Sequence, residues 1–588
     1  MTTKNSKIIC MPSNYEYTPH YLRLKKNTPF LEATIKPQVV PVVFYLVFFS
    51  FLKNTTMKFV FVTGGVISGL GKGITAASIG KLLKACGYKV DIMKMDPYLQ
   101  IDAGTMSPFE HGETFVTSDG FETDLDLWHY ERFINQIMTS KSSVTSWQIY
   151  LSVIEKERRW DYLGKTVQVI PHITNEIKEK IKMLAADADV TIVEIWGTIW
   201  DIEGLHFIEA IRKMRQELGH ENVMFVHVVP MITVTTSGEM KSKAIQHSVI
   251  KLRELGIHPD MLICRTPQPI DESIKRKISM FTDVDFDCII ENLDQKSIYQ
   301  VPLSFQAQNV HLLIQKKLFG EQRQPDMEKW KLLVGKILHP QKTIHIALAG
   351  KYTQLNDSYL SVIEAVQHAW IKYDANVHVH LLDMGCFEDS DREKKLTAYI
   401  EENDIKWFVV PGGFGLRGTE GKIHVANYCR VKNIPYLWLC LGLQIAVISF
   451  ARNICWLKTA NSTDFDENTP DPVIDIMDDQ KDIHTKWWTM RLGLYEARLK
   501  IWSKIQELYD QEKIQERHRH RYEVNPLYHE ILEKNGMVLS GMSPDGTLVE
   551  YIELPNHPCY IATQSHPEFN SRLDRPHPMF LWLIKACL

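Results

Sequence analysis

The sequence predicts an α/β protein built of two doubly wound α/β domains in tandem. Three observations carry that expectation. Short, mostly apolar runs recur, the first of them ending in glycines, stretches of helical period separate them, and a polar, proline-bearing break at 321–342 divides one such alternation from a second. A chain of 588 residues exceeds what one core serves, so two large domains are the natural division. With 45% apolar and 23% charged residues, the composition excludes disordered and fibrous classes. A net charge of -4 leaves no general electrostatic footprint for nucleic acid. The ten cysteines form no C-x-x-C pair and no framework spacing, which points to free thiols in a reducing, cytoplasmic setting.

Residues 1–56 look foreign to the rest of the chain. The apolar stretch 39–52 is broken by Pro41 and is shorter than the ~20 residues of a membrane span. It also lacks the small residues that end a secretory signal. The expected start is Met57, with 1–56 a spurious or disordered extension. Lys58 to Thr63 then reads as a buried parallel strand, Lys72 to Ala85 as a helix closed by Gly87, and Val90 to Met95 as the next strand. Val190 to Ile195, Val223 to Val229 and Met261 to Cys264 continue the alternation, giving a first domain over 57–320. The second domain, 343–588, has strands at Ile344 to Ala349, Val377 to Leu382, Phe408 to Val410 and Tyr436 to Leu439, with a helix from Asp357 to about His368.

The first strand runs into Thr63-Gly64-Gly65-Val66-Ile67-Ser68-Gly69-Leu70-Gly71-Lys72-Gly73. Backbone N–H groups of such a turn, at a helix N-terminus, hold phosphate oxygens. Lys72 would reach the β/γ-phosphates as a point charge. The loop departs from G-x-x-x-x-G-K-[ST], because Val66 replaces the first glycine and Gly73 the hydroxyl residue. A bound nucleotide needs magnesium on hard oxygen ligands, and the strand-end carboxylates Asp126 and Glu194 are the candidates.

Far downstream Cys440 sits where an apolar strand meets Leu441-Gly442-Leu443-Gln444, a nucleophile-elbow setting. A thiolate nucleophile needs a base and a group to orient that base, and His566-Pro567-Glu568 supplies both. Pro411-Gly412-Gly413-Phe414-Gly415 and the Leu441 N–H are candidate oxyanion donors. Alternation puts Arg517, Arg519 and Arg521 on one face of a strand, either as a solvated basic patch or to hold a carboxylate. Nucleotide activation in one half and ammonia release from glutamine in the other point to an enzyme that places nitrogen on a phosphate-activated carbon.

Together these residues resemble the CTP synthases, glutamine-dependent enzymes that aminate UTP. The resemblance covers about 57–588 and rests on long runs, among them Lys94-Met95-Asp96-Pro97-Tyr98, Gly104-Thr105-Met106-Ser107-Pro108, His129-Tyr130-Glu131-Arg132-Phe133 and Arg517 to Asn525. It implies a P-loop-like synthetase domain followed by a class I glutamine amidotransferase domain. It implies ATP at Gly69, Leu70, Gly71, Lys72, Gly73, Ile74, Asp126 and Asp294, and magnesium at Asp126 and Glu194. UTP and feedback CTP would meet Ser68, Asp201, Ile202, Glu203, Lys241, Ser242, Lys243, Ala244, Ile245, Gln246 and Lys277. Lys72 and Lys94 match lysines of the synthetase centre. Glutamine would meet Gly413, Leu441, Gly442, Leu443, Gln444, Asp464 and Arg521. Arg417 and Gly418 match a loop that the family links to GTP activation, and His111 lies near its ammonia passage. A homotetramer is the family expectation. Asp464 replaces a glutamate, Ala244-Ile245 a Pro-Thr and Ser565 an aromatic.

Tryptophan is the systematic departure. Trp128, Trp147, Trp160, Trp196, Trp200, Trp438, Trp487 and Trp488 stand where the resembled family has glycine. Trp370, Trp407, Trp456, Trp502 and Trp582 stand where many members do, and only Trp330 falls elsewhere. Glycine serves where φ is positive or backbones approach closely. A large side chain there costs at least ~1–2 kcal/mol per site. The expectation is a bacterial gene that reads UGA as glycine, with visible strain at these sites when tryptophan is written. Two other classes share parts of the pattern: a cobyrinate-amidase type of glutamine-dependent ligase, and an inactive structural homologue.

Overall fold

In the computed structural model the described residues are 57–588 except 108–111, 235, 237, 352–355, 414–415, 477–489 and 587–588. The expectations for residues 1–56, His111, Phe414, Gly415, Trp487 and Trp488 therefore lie outside the described residues.

Seven strands make the first sheet: β1 (Lys58–Gly64), β2 (Val90–Asp96), β3 (Ser143–Thr145), β4 (Val190–Ile195), β5 (Val223–Pro230), β6 (Met261–Thr266) and β7 (Ile289–Leu293). Their spatial order is β7-β6-β5-β1-β4-β2-β3, and every pairing is parallel. Both faces are covered, which is why β4 and β5 are mostly apolar and are buried along their whole length, with Thr191, Glu194 and His227 buried among the apolar residues. Helix α1 (Lys72–Ala85) packs on one face, and α2 (Asp126–Ile134) packs on α1. The phosphate loop leaves the carboxyl end of β1, the central strand, where ligands of doubly wound sheets collect.

The second sheet has nine strands: β8 (Lys342–Gly350), β9 (Ala375–Asp383), β10 (Ile405–Val410), β11 (Tyr436–Leu439), β12 (Arg491–Leu499), β13 (Lys513–His520), β14 (Val538–Met542), β15 (Val549–Glu553) and β16 (Tyr560–Thr563). Their order is β9-β8-β10-β11-β16-β15-β14-β12-β13. The strands from β9 to β16 in that order pair in parallel, and the remainder are antiparallel.

Two boundaries differ from expectation. The break at 321–342 contains helix α3 (Glu328–Leu338), whose Trp330 and Val334 are buried against the first core. Its apolar residues at i, i+3 and i+4 outweigh the polar setting. The helix expected from Asp357 is α4, Leu360–Ile371, preceded by a 3₁₀ turn. Residues 56–588 form one compact unit, and Ile371, Phe569 and Leu573 from the second half join the core of the first.

The tryptophans carry a distinctive burden. Trp160, Trp456 and Trp502 sit at φ 70°, 62° and 69°, the left-handed region that suits glycine. Trp128, Trp370, Trp407 and Trp438 are fully buried, and their indole N–H groups find no acceptor among the described residues. Each such orphan costs roughly 1–3 kcal/mol. Trp330, the one outside the glycine-like set, donates its N–H to the Tyr299 carbonyl at 2.9 Å.

Candidate active sites

At the first site, Gly69 and Gly71 adopt left-handed conformations and Gly71 opens α1 without a side-chain cap, so the first N–H groups of that helix face the loop. Leu70, Lys72 and Gly73 are buried, Ile74 is half-buried, and Ser68 is exposed at the loop crest. Lys72 folds back over the end of β1. Burial lowers its pKa while the nearby carboxylates of Glu194, Asp126 and Asp201 oppose that shift. A Cβ on Gly73 would collide with Asp126 Oδ1 and lie 3.4 Å from Glu194 Oε2, so only glycine lets both carboxylates converge on the start of α1.

Asp126 opens α2 rather than ending a strand, a small correction to the sequence expectation. It pairs with Lys94 Nζ at 3.0 Å, and Lys94 is fully buried among Asp96 (2.9 Å), Asp124 and Asp126. Burial lowers the Lys94 pKa, but the three carboxylates outweigh it and hold the ammonium charged. Burial raises the Glu194 carboxyl to about 7, with Asp126 adding repulsion, and Tyr130 donates to it. Two facing carboxylates of this kind fit a divalent cation whose other ligands are phosphate oxygens and water. Among the described residues, no cluster of three or more His, Cys, Asp or Glu forms a self-sufficient metal site.

Of the remaining nucleotide candidates, Asp201 lies near enough to Lys72 to oppose its shift. Asp201 accepts from the Thr198 N–H at 2.6 Å, and Ile202 is 80% exposed beside the exposed Glu203. Lys241 is exposed and paired with Glu239, while Ser242 accepts from Gln246 at 3.0 Å. Ile245 is buried, Ala244 half-buried, and Lys243 and Lys277 exposed. Asp294 accepts from Arg265 at 2.5 Å, and Arg265 in turn borders Gly71.

At the second site, Cys440 joins β11 to helix α5 (Leu441–Asn453) with φ 52° and ψ −107°, a strained elbow for a non-glycine residue. Its N–H donates to the Thr563 carbonyl at 2.8 Å. His566 Nδ1 lies 2.6 Å from Glu568 Oε1. Burial works against a proton on His566, but Glu568 and Cys440 outweigh it and raise its pKa to about 10. A Cβ on Gly412 would sit 2.8 Å from His566 Cε1 and 3.5 Å from Cys440 Cβ, so the turn after β10 closes directly over the pair. Gly413 borders Leu441 and Lys351. Gly442 and Leu443 are buried, and Gln444 donates to the Tyr522 carbonyl at 3.0 Å. Asp464 bonds the Tyr522 hydroxyl, and Arg521 is half-buried just past β13. Arg417 donates to Asp383 at 2.6 Å, away from the cysteine, and Gly418 starts the helix Thr419–Lys432.

The arginine run is not a solvated patch, which corrects one of the two sequence readings. Arg517 is 1% exposed and Arg519 is mostly buried, and both point into the first half, to Glu131 at 2.7 Å and Glu122 at 2.6 Å. Arg521 lies past the strand end. A cavity of about 370 Å³ begins at Cys440 and His566 and is walled by Gly104, Thr105 and Met106 of the first half. Glu113 also lines it and accepts from the Ser361 N–H at 2.9 Å at the start of α4. Burial lifts the Glu113 carboxyl to about 7. Sequence reading missed Glu113, Tyr130, Asp96 and Arg265, because only the packing of distant segments gives these residues their partners.

A family model described as CTP synthase N-terminus matches residues 58–319, and one described as glutamine amidotransferase class-I matches 354–586. A CTP synthase of Methanocaldococcus jannaschii is 53% identical over 532 residues, covering 90% of this chain and 98% of its own. A CTP synthase of Caldanaerobacter subterraneus subsp. tengcongensis is 51% identical over 533 residues, covering 90% and 98%. Among solved structures, the glutaminase domain of Trypanosoma brucei CTPS with bound acivicin is 33% identical, covers 42% of this chain and 93% of that one, and has a TM-score of 0.39.

Proposed function

This chain belongs to the CTP synthase family, and from that premise we propose how its own residues turn UTP into CTP with glutamine as amide donor. It is a ligase whose substrates are ATP, UTP and glutamine. The single observation that carries the residue-level reading is the cavity that joins Cys440 and His566 to Gly104, Thr105 and Met106 of the other half.

In the first domain, 57–320, Gly69 to Ile74 cradle ATP and Lys72 neutralises its outer phosphates. Asp126 and Glu194 would hold Mg²⁺, which when bound screens the phosphate charge. Ser68, Asp201 to Glu203, Lys241 to Gln246 and Lys277 receive UTP. Transfer of the γ-phosphoryl group to the 4-oxygen of UTP makes that oxygen a leaving group. Lys94, held charged by its carboxylates, supports the charge at this centre.

In the second domain, 343–588, Gly413, Leu441 to Gln444, Asp464 and Arg521 hold glutamine. The Cys440 thiolate attacks the amide carbon. The C–N bond breaks as His566 delivers its proton to the departing nitrogen, which leaves as ammonia. Water, deprotonated by His566, then cleaves the thioester to glutamate. Ammonia moves through the walled cavity and displaces phosphate from the activated ring. A dry path matters because ammonia mostly protonates in water at pH 7 and loses its nucleophilic lone pair.

GTP activation through Arg417 and Gly418, feedback inhibition by CTP, a homotetramer and a cytoplasmic location complete the proposal. The eight cysteines described are all free, which supports a reducing compartment. No helix among the described residues is long and apolar enough to cross a membrane. We also propose that the thirteen glycine-like tryptophans are glycines in the native protein, on the strength of the three left-handed and four orphaned indoles.

The test is UTP conversion followed spectrophotometrically with glutamine and then with an ammonium salt. Cys440→Ala is expected to abolish the first and keep the second. Retained glutamine-driven turnover in that variant overturns the assignment.

A further inference from the structure

The turn 567–570, which follows His566 and carries Glu568, is held by Glu516 and Arg517 of β13 and, through the arginines, by a carboxylate of the other domain. The His566 N–H donates to the Arg517 carbonyl at 2.7 Å. Arg517 reaches the same turn with its side chain, donating to Asn570 Oδ1 at 2.8 Å and to the Phe569 carbonyl at 3.3 Å. Arg572 donates to that carbonyl at 2.6 Å. Both guanidinium groups then converge on one carboxylate of the other domain. Glu131 of α2 accepts from Arg517 at 2.7 Å through one oxygen and from Arg572 through the other, and takes the Met138 N–H at 2.7 Å. Glu131, Arg517 and Arg572 are 0%, 1% and 2% exposed.

A second contact reaches the same turn. Phe115, also from the first domain, meets Phe569 edge-on at 5.1 Å between ring centroids, and Phe569 stacks on the His566 imidazole at 5.3 Å. The Arg517 guanidinium lies 5.0 Å above the Phe115 ring, so the two supports are continuous. Within its own domain His566 has Glu568 at Nδ1, and Asn570 of the turn donates to Glu516 and accepts from Arg517, but the carboxylate that faces the Arg517 and Arg572 guanidinium groups, Glu131, lies in the other domain.

We propose that Glu131 and Phe115 of the synthetase domain are positioning residues for the glutaminase base: they hold the 567–570 turn so that His566 faces Cys440. Neither residue lines the cavity at Cys440 and His566. A base displaced by ~1 Å loses proton transfer far more than substrate binding, because the glutamine contacts lie on other elements. Glutamine hydrolysis is therefore competent only when the two domains are docked at this point. Helix α2 presents Asp126 to the phosphate loop at its start and Glu131 to the arginines one turn later, so a single short helix touches both sites.

The inference rests on the assignment of Cys440 and His566 as the glutaminase pair. The experiment compares Glu131→Gln and Phe115→Leu with wild type and Cys440→Ala, all as full-length enzyme. Glutamate release, CTP formation from glutamine and CTP formation from ammonium chloride are measured for each. Both positioning variants are expected to lower kcat for glutamine by about tenfold or more, to leave its KM within about threefold, and to leave ammonium-driven synthesis within about twofold. Unchanged glutamine kcat in both, or parallel loss of ammonium-driven synthesis, overturns the inference. If Glu131→Gln proves insoluble, Phe115→Leu, which removes no charge, decides alone. Residual glutamine turnover in Cys440→Ala would instead strike the parent assignment.

Discussion

Cys440 is held in a conformation, φ 52° and ψ −107°, that an unconstrained residue avoids, and the surrounding sheet supplies the constraint through its bond to Thr563. The strain lifts the sulfur clear of the sheet toward His566. The pKa of His566, raised to about 10, sets a pH dependence. The imidazolium form donates the proton to ammonia, so glutamine-driven activity falls as pH rises through the His566 value. Removing the Glu568 charge lowers that value. Glutamine hydrolysis by wild type is expected to hold to about pH 9, whereas Glu568→Gln loses it above about pH 7, with ammonium-driven synthesis unmoved. The same folded-state shift contributes stability that is complete below about pH 6.5 and is lost as pH approaches 10. A second residue-level prediction concerns the indoles. Trp456→Gly and Trp502→Gly relieve left-handed strain and are each expected to stabilise the chain by about 1–2 kcal/mol in denaturant titration. Mass spectrometry of native peptides spanning 128, 196 and 456 is expected to find glycine; tryptophan there would sink the recoding proposal.

At the scale of elements, the β1–α1 loop and the helix that opens with Asp126 act as one unit, because Gly73 leaves room for Asp126 and Glu194 to approach the helix start. Lys72 completes it. Lys72→Ala is expected to abolish CTP formation from either nitrogen source while Cys440 alkylation by iodoacetamide proceeds as in wild type. Loss of both would mean that the loop supports the whole chain instead of the nucleotide. Lys94 is different in kind. Its buried ammonium offsets the carboxyl groups of Asp96, Asp124 and Asp126, so Lys94→Met leaves uncompensated charge and is expected to destabilise by about 3–5 kcal/mol as well as stop synthesis.

At the scale of the molecule, the two domains meet through charges that a surface would leave in water. Arg519 lines the cavity wall and pairs with Glu122 at 2.6 Å, both largely buried. Breaking that pair opens the wall and frees only the side chain of Arg519, whose backbone carbonyl still accepts from the Cys440 thiol at 3.6 Å. Glu122→Ala is expected to keep glutamine hydrolysis and to raise the glutamate-to-CTP ratio by about threefold or more, because freed ammonia escapes before capture. A ratio that stays at the wild-type value would show that the pair only holds the domains together.

Sequence alone determined the elements whose side chains face one environment throughout. The mostly apolar strands at 190–195 and 436–439, the helix at 72–85, the phosphate loop and the Cys440 elbow all follow from local period and local chemistry, and the structure returns them with nearly the same bounds. Helix 328–338 was hidden in a polar break because its packing partner, the first core, is remote in sequence. The structure alone decided the fate of the arginine run. Alternation fixed that Arg517 and Arg519 share a face, but whether that face meets water or Glu131 and Glu122 depends on docking segments nearly 400 residues apart in the chain. A charge pattern states only the field that a segment makes. What the charge is worth depends on the groups and the solvent that the rest of the fold brings to it.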